Sequence, residues 1–415
     1  MKRHSLAVWA LLLATTAFTI HTRAAEKSFA DELAAVRLRV ADAKAKLGGK
    51  AGVPEIPDKF DSIPKDADWL TPDEARQCFS RLQREIERKR WWKIGLDPTK
   101  LDHALREPAS VVSGCAHVVR AGLPDTQKTL AQANDAGDFL VWAQEQAKTG
   151  VFPFPAFRGE TKDKAFVAAK RYFVRAGSEG RLHRVIRNGW AIEDIGDGGL
   201  QFDNGEAGVA IFELSQETKE PKYLTAATKA ADWAMSRPLV VNWNYNSFSV
   251  YLLAKAFEVS GDQKYLAAAT TKARLGVIPG QLTDGQYAGR WVDPHNARPA
   301  YHYIMLRALA HLAAAMPKDD PARPEILQSL KLGLRARNQD FLGPGAPNKD
   351  HAMEVLVFVN RSFSDEKDFL RESLSVEALD ALAKLVSSQA RKGNAPLSPR
   401  PLGMFLEYVT WKAAR

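Results

Sequence analysis

From Trp69 onward, apolar residues recur every three to four positions, and short clusters of Pro, Gly, Asp and Lys interrupt them. This period predicts helices over 71–91, 103–121, 126–147, 164–177, 206–217, 221–236, 247–260, 263–275, 299–316, 322–338, 350–362, 366–390 and 401–413. The first has a clear start: Thr71 as cap, Pro72 at the first position, then Asp73 and Glu74 at the positive end. One stretch departs from the pattern. "RLHRVIRNGWAIED" places two short β-rich runs around Asn188-Gly189, which predicts a small β-hairpin near 182–194. Upstream, 26–48 reads as a lone amphipathic helix, and 49–68, rich in Gly, Pro, Lys and Asp, as a linker.

The helices alternate in character. "YLLAKAFEV" is apolar nearly all round, as a buried helix must be, whereas its neighbours carry Lys and Asp on one face. "FELSQETKEPKYLTAATKAADWA" at 212–234 echoes "FEVSGDQKYLAAATTKARLG" at 257–276. Phe212-Glu213 recurs as Phe257-Glu258, and Lys222-Tyr223-Leu224 as Lys264-Tyr265-Leu266. A two-helix repeat of about 42–45 residues means stacked hairpins. The fold class expected is all-α: an (α/α)6-type toroid over 69–415, with inner helices lining its core. An open solenoid is the alternative.

Met1-Lys2-Arg3-His4, the apolar stretch Leu6–Ile20 and the small residues near Ala24-Ala25 have the layout of a secretory signal over 1–24. We therefore expect a secreted or periplasmic protein, with no membrane association once the signal is cleaved. Domain 25–68 would hold the N-terminal helix and linker. The 415-residue chain carries a net charge of +9, and loss of Lys2, Arg3 and Arg23 leaves +6. No basic strip interleaved with aromatics is present, which argues against a nucleic-acid partner. A mild positive excess suits an acidic glycan. Cys78 and Cys115 could pair in an oxidising compartment. A monomer is expected.

In a toroid the inner helices run the same way, so the segments leading into them share one face. Those segments concentrate the functional residue types. Asp203-Asn204-Gly205-Glu206 precedes one apolar helix, and Trp243 and Asn246 stand before the next. Arg290, Trp291, His295, Asn296, Arg298, Tyr301 and His302 precede or open the third, and His351 the fourth. Helix capping explains Asp203 and Asn204 equally well. Exposed Trp243 and Trp291 would stack on sugar faces. Asp197 and Asp203, in a glycine-rich turn, are candidate calcium ligands, although the spacing is not that of an EF-hand. No phosphate loop, nucleophile elbow or dinucleotide fingerprint occurs, and no organic cofactor is expected.

Phe202-Asp203-Asn204-Gly205 opening an inner helix, followed by "FELSQETKEPKYLTAATKAADWA", resembles the pectate lyases of polysaccharide lyase family ten over roughly residues 130–315. The resemblance implies a carbohydrate-active toroid with Asp203 near calcium and a uronate carboxylate. The family's Gly-Gly-Trp-Pro-Gln run is missing. The related positions read "GVFPFP" and "GVIPGQL".

These residues are compatible with β-elimination on an acidic, uronate-containing polysaccharide or oligosaccharide. Cations neutralise the carboxylate while a base takes the adjacent proton. The catalytic candidates are Asp203, Arg290, Arg298, Tyr301 and His302. The substrate-binding candidates are Asn204, Glu206, Trp243, Asn246, Trp291, His295, Asn296 and His351. A glycoside hydrolase would instead need paired carboxylates, Asp203 or Glu206 facing Asp293 or Glu354. A non-catalytic glycan- or protein-binding repeat is the third reading.

Overall fold

The computed structural model describes residues 28–90, 92, 105–123, 125–147, 150–152, 198–394 and 396–415, with scattered positions between 167 and 180. The expected signal segment, the β-hairpin near 182–194, Asp197 and most of the helix expected at 164–177 lie outside the described residues. The helices are α1 (Phe29–Leu47), α2 (Pro72–Lys89), α3 (Arg106–Arg120), α4 (Thr126–Ala147), α5 (Gly198–Thr218), α6 (Pro221–Ser236), α7 (Trp243–Ser260), α8 (Gln263–Gly276), α9 (Pro299–Ala315), α10 (Arg323–Leu342), α11 (Lys349–Ser362), α12 (Lys367–Glu372), α13 (Ser375–Arg391) and α14 (Pro399–Ala413).

Local chemistry starts and stops them. Thr71 and Glu74 form a capping box at α2, and Ser28 and Asp31 form another at α1. Asn348 caps α11 through its contact with the His351 amide. Gly261, at φ +70°, ends α7 in the left-handed conformation that glycine adopts without cost. The segment expected at 366–390 is two helices, α12 and α13, because Leu374 takes a positive φ between them.

Alternate helices form the wall of a closed ring. Helices α3, α5, α7, α9, α11 and α14 each pack on the next, and α14 returns to α3. Helices α2, α4, α6, α8, α10 and α13 lie outside them. The burial pattern follows. Inner α9 is buried without a break from His302 to Ala313, whereas outer α8 buries one face through Tyr265, Leu266, Ala269 and Ala273. Glycines allow the closing contact: Gly114 of α3 lies against the Pro399 carbonyl of α14, and Gly403 of α14 against the Gly114 carbonyl.

The repeated Lys-Tyr-Leu does the same work in both copies. Tyr223 donates to Asp138 Oδ1 and Tyr265 to Asp232 Oδ1, each at 2.8 Å, and each neighbouring lysine pairs with the same aspartate. Each tyrosine thereby ties its outer helix to the preceding outer helix.

The 51–70 segment is a strap laid on the ring. Gly52 N donates to Val292 O, Glu55 N to Pro294 O, and Asp61 exchanges backbone hydrogen bonds with Ala346. The strap carries Asp58 to the fully buried Arg337, at 2.7 Å. Composition suggested a linker; tertiary hydrogen bonds fix the segment in place. Helix α1 packs on α8 and the short turn at Ile278–Gly280, with Lys44 paired to Asp284 at 2.8 Å. Cys78 and Cys115 are both free and buried, and burial pushes the Cys115 thiol up to about 12.

Candidate active site

Residues from the N-terminal halves of four inner helices line one cavity of about 520 Å³. Arg106, Glu107 and Ser110 come from α3, Phe202 and Glu206 from α5, Asp350, His351 and Glu354 from α11, and Ser398, Pro399 and Arg400 from the start of α14. Its wall carries two guanidinium groups, Arg106 and Arg400, and four carboxyl groups, Glu107, Glu206, Asp350 and Glu354.

Helix α5 begins at Gly198, so Asp203, Asn204 and Glu206 lie inside it and do not cap it. Their roles then separate. Asp203 Oδ1 accepts from Arg106 Nε at 2.7 Å, and the Arg106 guanidinium lies over the Phe202 ring at 3.5 Å. Asn204 is fully buried: its Oδ1 accepts from Phe152 N and its Nδ2 donates to Ala230 O, both at 3.0 Å. It joins the ring to a loop and has no atom left for substrate. Glu206 accepts from Arg307 of α9 at 2.5 Å and pairs with Arg400 of α14.

Arg307 also reaches Glu354 of α11, at 2.5 Å. One guanidinium therefore bridges two carboxylates on facing helices. Burial raises the Glu354 pKa, and the neighbouring Arg307 opposes the rise. His351 stands one turn before Glu354 on α11, its Nδ1 3.9 Å from Glu354 Oε1. Burial, and then the Arg307 charge, lower its pKa to about 4, so the imidazole is neutral near pH 7.

A second cleft, also about 520 Å³, opens beside the first on the same face. It lies between Val40 and Ala43 of α1 and the ring residues Trp243, Tyr245, Asp293 and His295. Tyr245 meets Phe202 with ring centroids 6.5 Å apart, so the two hollows adjoin. Trp243 is 8% exposed and packs against Gly280, presenting an edge to this cleft. Around the cleft, His295 stacks on Tyr301 at 4.5 Å, Arg298 lies over Tyr301 at 4.3 Å, and both His295 and Arg298 approach Glu55 of the strap. These three form a surface group apart from the Glu206 cavity.

Several expected site residues face elsewhere. Trp291 is fully buried and donates to Val277 O at 2.9 Å, which leaves no ring face for a sugar. His302 is fully buried beside Trp291, with Nε2 at 2.8 Å from Gly333 O, and burial drives its pKa well below the ordinary value. Asn246 bridges the Val240 backbone and Gly276 O, and Asn296 holds Asp293 and Asn244. Arg290 lies by the Tyr287 ring, where burial and Arg337 lower its pKa. Asp293, one alternative hydrolase partner, is engaged by Asn296 away from Glu206.

Of the two expected calcium ligands, Asp197 lies outside the described residues and Asp203 is described. Its Oδ1 accepts from a guanidinium, so a bound cation would lie against a fixed positive charge. Among the described residues no group of three or more His, Cys, Asp or Glu is placed to hold a metal.

Arg106 and Arg400 were not anticipated from the sequence. A signal was present: "LREPASV" and "SPRPLGM" put arginine in the first turn of an apolar helix, against the macrodipole. A charge kept where the helix disfavours it has a partner, here Asp203 or Glu206.

No protein-family model matches the chain, and no curated protein matches its sequence. Among solved structures, Polysaccharide Lyase BACCELL_00875 aligns with a TM-score of 0.51 at 11% identity, covering 83% of this chain and 97% of its own. A glycosyl hydrolase family 88 protein from Bacteroides vulgatus gives a TM-score of 0.48 at 10% identity, over 83% and 99%. With the closed ring described above, the likeness to the lyase shows a shared helical-toroid fold.

Proposed function

We propose that this protein is a carbohydrate-active enzyme, and more finely a polysaccharide lyase that cleaves an acidic, uronate-containing glycan by β-elimination. The observation that carries the reading is the juxtaposition in one cavity of Arg106, Arg400 and a neutral His351. A substrate carboxylate seats against the Arg106 guanidinium, the more exposed of the two, and its adjacent C–H becomes acidic. His351 takes that proton. The C–O bond β to the carboxylate breaks, a C=C bond forms, and the departing oxygen takes a proton from water. The shared toroid and the Phe202-Asp203-Asn204-Gly205 run on an inner helix support kinship with pectate lyases of family ten. The N-terminal apolar stretch supports export to the periplasm or medium.

A second reading has its own observation. Glu206 and Glu354 flank a single guanidinium, and their surroundings differ, since Glu206 has two arginine partners and Glu354 one. Such a split suits the acid and the carboxylate of a glycoside hydrolase. The deciding experiment incubates the protein with acidic polysaccharides and follows ultraviolet absorbance and reducing ends together. A lyase raises both, and His351→Gln abolishes both while the circular dichroism spectrum stays unchanged. Reducing ends without absorbance would refute the lyase in favour of the hydrolase. Neither signal would mean a binding module.

A further inference from the structure

Two smaller hollows continue the cavity along the same face of the ring. The first, about 160 Å³, shares Glu107, Ser398 and Pro399 with the cavity and has an apolar floor of Leu82, Ile86 and Trp92. The second, about 340 Å³, shares Leu82 and Glu85 with the first and ends against Arg81, Arg84 and Arg88 of α2 and the backbone at 393–394. Shared walls make the three one track, leading from His351 out over α2.

We propose that this track carries an anionic glycan beyond the point of cleavage, with Arg81, Arg84 and Arg88 forming a subsite for a sugar carboxylate. The inference rests on the cavity at His351 being the site of cleavage. The arginines fall at i, i+3 and i+7, one face of α2. Arg81 is half-buried and donates to Ala390 O at 2.8 Å, which anchors the face, while Arg84 and Arg88 are exposed. Glu85, 4.0 Å from Arg88, is the carboxylate lining this hollow among the described residues, so the subsite keeps a net positive charge. Cys78 at its base is a buried thiol whose pKa burial raises, and it adds no competing anion. The order along the track, apolar floor then guanidinium fork, matches an acidic sugar, which offers a C–H face and a carboxylate.

Affinity electrophoresis through gels containing polygalacturonate, alginate or neutral dextran tests this. The parent protein should be retarded by at least one acidic polymer and not by dextran. Arg84→Glu/Arg88→Glu should weaken that binding about tenfold. Arg76→Glu, on the same helix but outside the track, should bind like the parent and is compared with the single variant Arg88→Glu, which makes the same change of net charge and should weaken binding. Thermal melts check that each variant folds, and Arg88→Gln provides a milder change in the same direction. Undiminished retardation of the double variant, equal weakening by Arg76→Glu, or a parent unretarded by every acidic polymer would each overturn the proposal. A retarded parent that releases reducing ends without ultraviolet-absorbing product would sink the lyase reading and leave the track standing. A parent that cleaves while the double variant binds undiminished would do the reverse.

Discussion

Replacing Glu206 by Gln tests whether the ring's centre is as dry as its geometry requires. Glu206 sits between two guanidinium groups that are 3% and 4% exposed, and its own side chain is 9% exposed. The substitution preserves shape and removes the charge. Arg307 keeps Glu354, but Arg400 is left with the Glu206 carbonyl at 3.2 Å and a neutral amide. Arg400 cannot escape by losing its proton at neutral pH, because burial lowers its pKa only to about 10. Breaking a buried pair from one side costs about 3–5 kcal/mol, since the surviving charge stays desolvated. Urea unfolding followed by circular dichroism should show that loss for Glu206→Gln and a similar one for Arg400→Met. The double variant should lose less than the two single losses added together, because it strands no arginine whose partner has gone. Single-variant losses below about 1 kcal/mol would mean that water screens the cluster, and the dry-core argument would fail.

Other consequences can be checked separately. At the far end of the axis His117 lies between Glu213 and Glu407; burial lowers its pKa, but the hydrogen bonds and charges of the two carboxylates outweigh that and raise it, while both carboxylates are held at about 2. Their stabilisation is present above about 4.5 and lost as pH falls toward 2, and that of His117 is present below about 6.5 and lost as pH rises through its raised value. Melting temperatures should therefore fall on both sides of that window, and Glu407→Gln should flatten the profile. Catalysis that depends on neutral His351 should persist from neutral pH down to about 5 and decline toward 4; loss centred at pH 6–7 would point to another base. Gly403→Val puts a branched side chain against the Gly114 backbone and should cost about 1–3 kcal/mol or more by urea unfolding. An aromatic disulfide reagent should not label Cys115 until the protein is unfolded, because its thiol is buried between helices.

Apolar period, hairpin repeat and capping residues are local properties, and they determined the helices, their alternation and the toroid. Segment 221–236 matched to the residue, and the Lys-Tyr-Leu echo proved to be a repeated contact. The sequence also marked the end of the hairpins where polar residues gather. It could not say which of those residues would meet. Asn204, Asn246, Trp291 and His302 have the composition of a site, but the ring turns them inward, where backbone carbonyls and amides use their polar atoms. Arg106, Glu206, Arg307, Glu354 and Arg400 lie as much as 294 positions apart and come together only when the inner helices close. Long-range pairing of charges is decided by helix packing and desolvation, which no local pattern records. For the same reason the Pro- and Gly-rich stretch at 51–70 reads as a linker in one dimension and becomes a strap in three: its partners, Val292, Arg337 and Ala346, are brought to it by the fold.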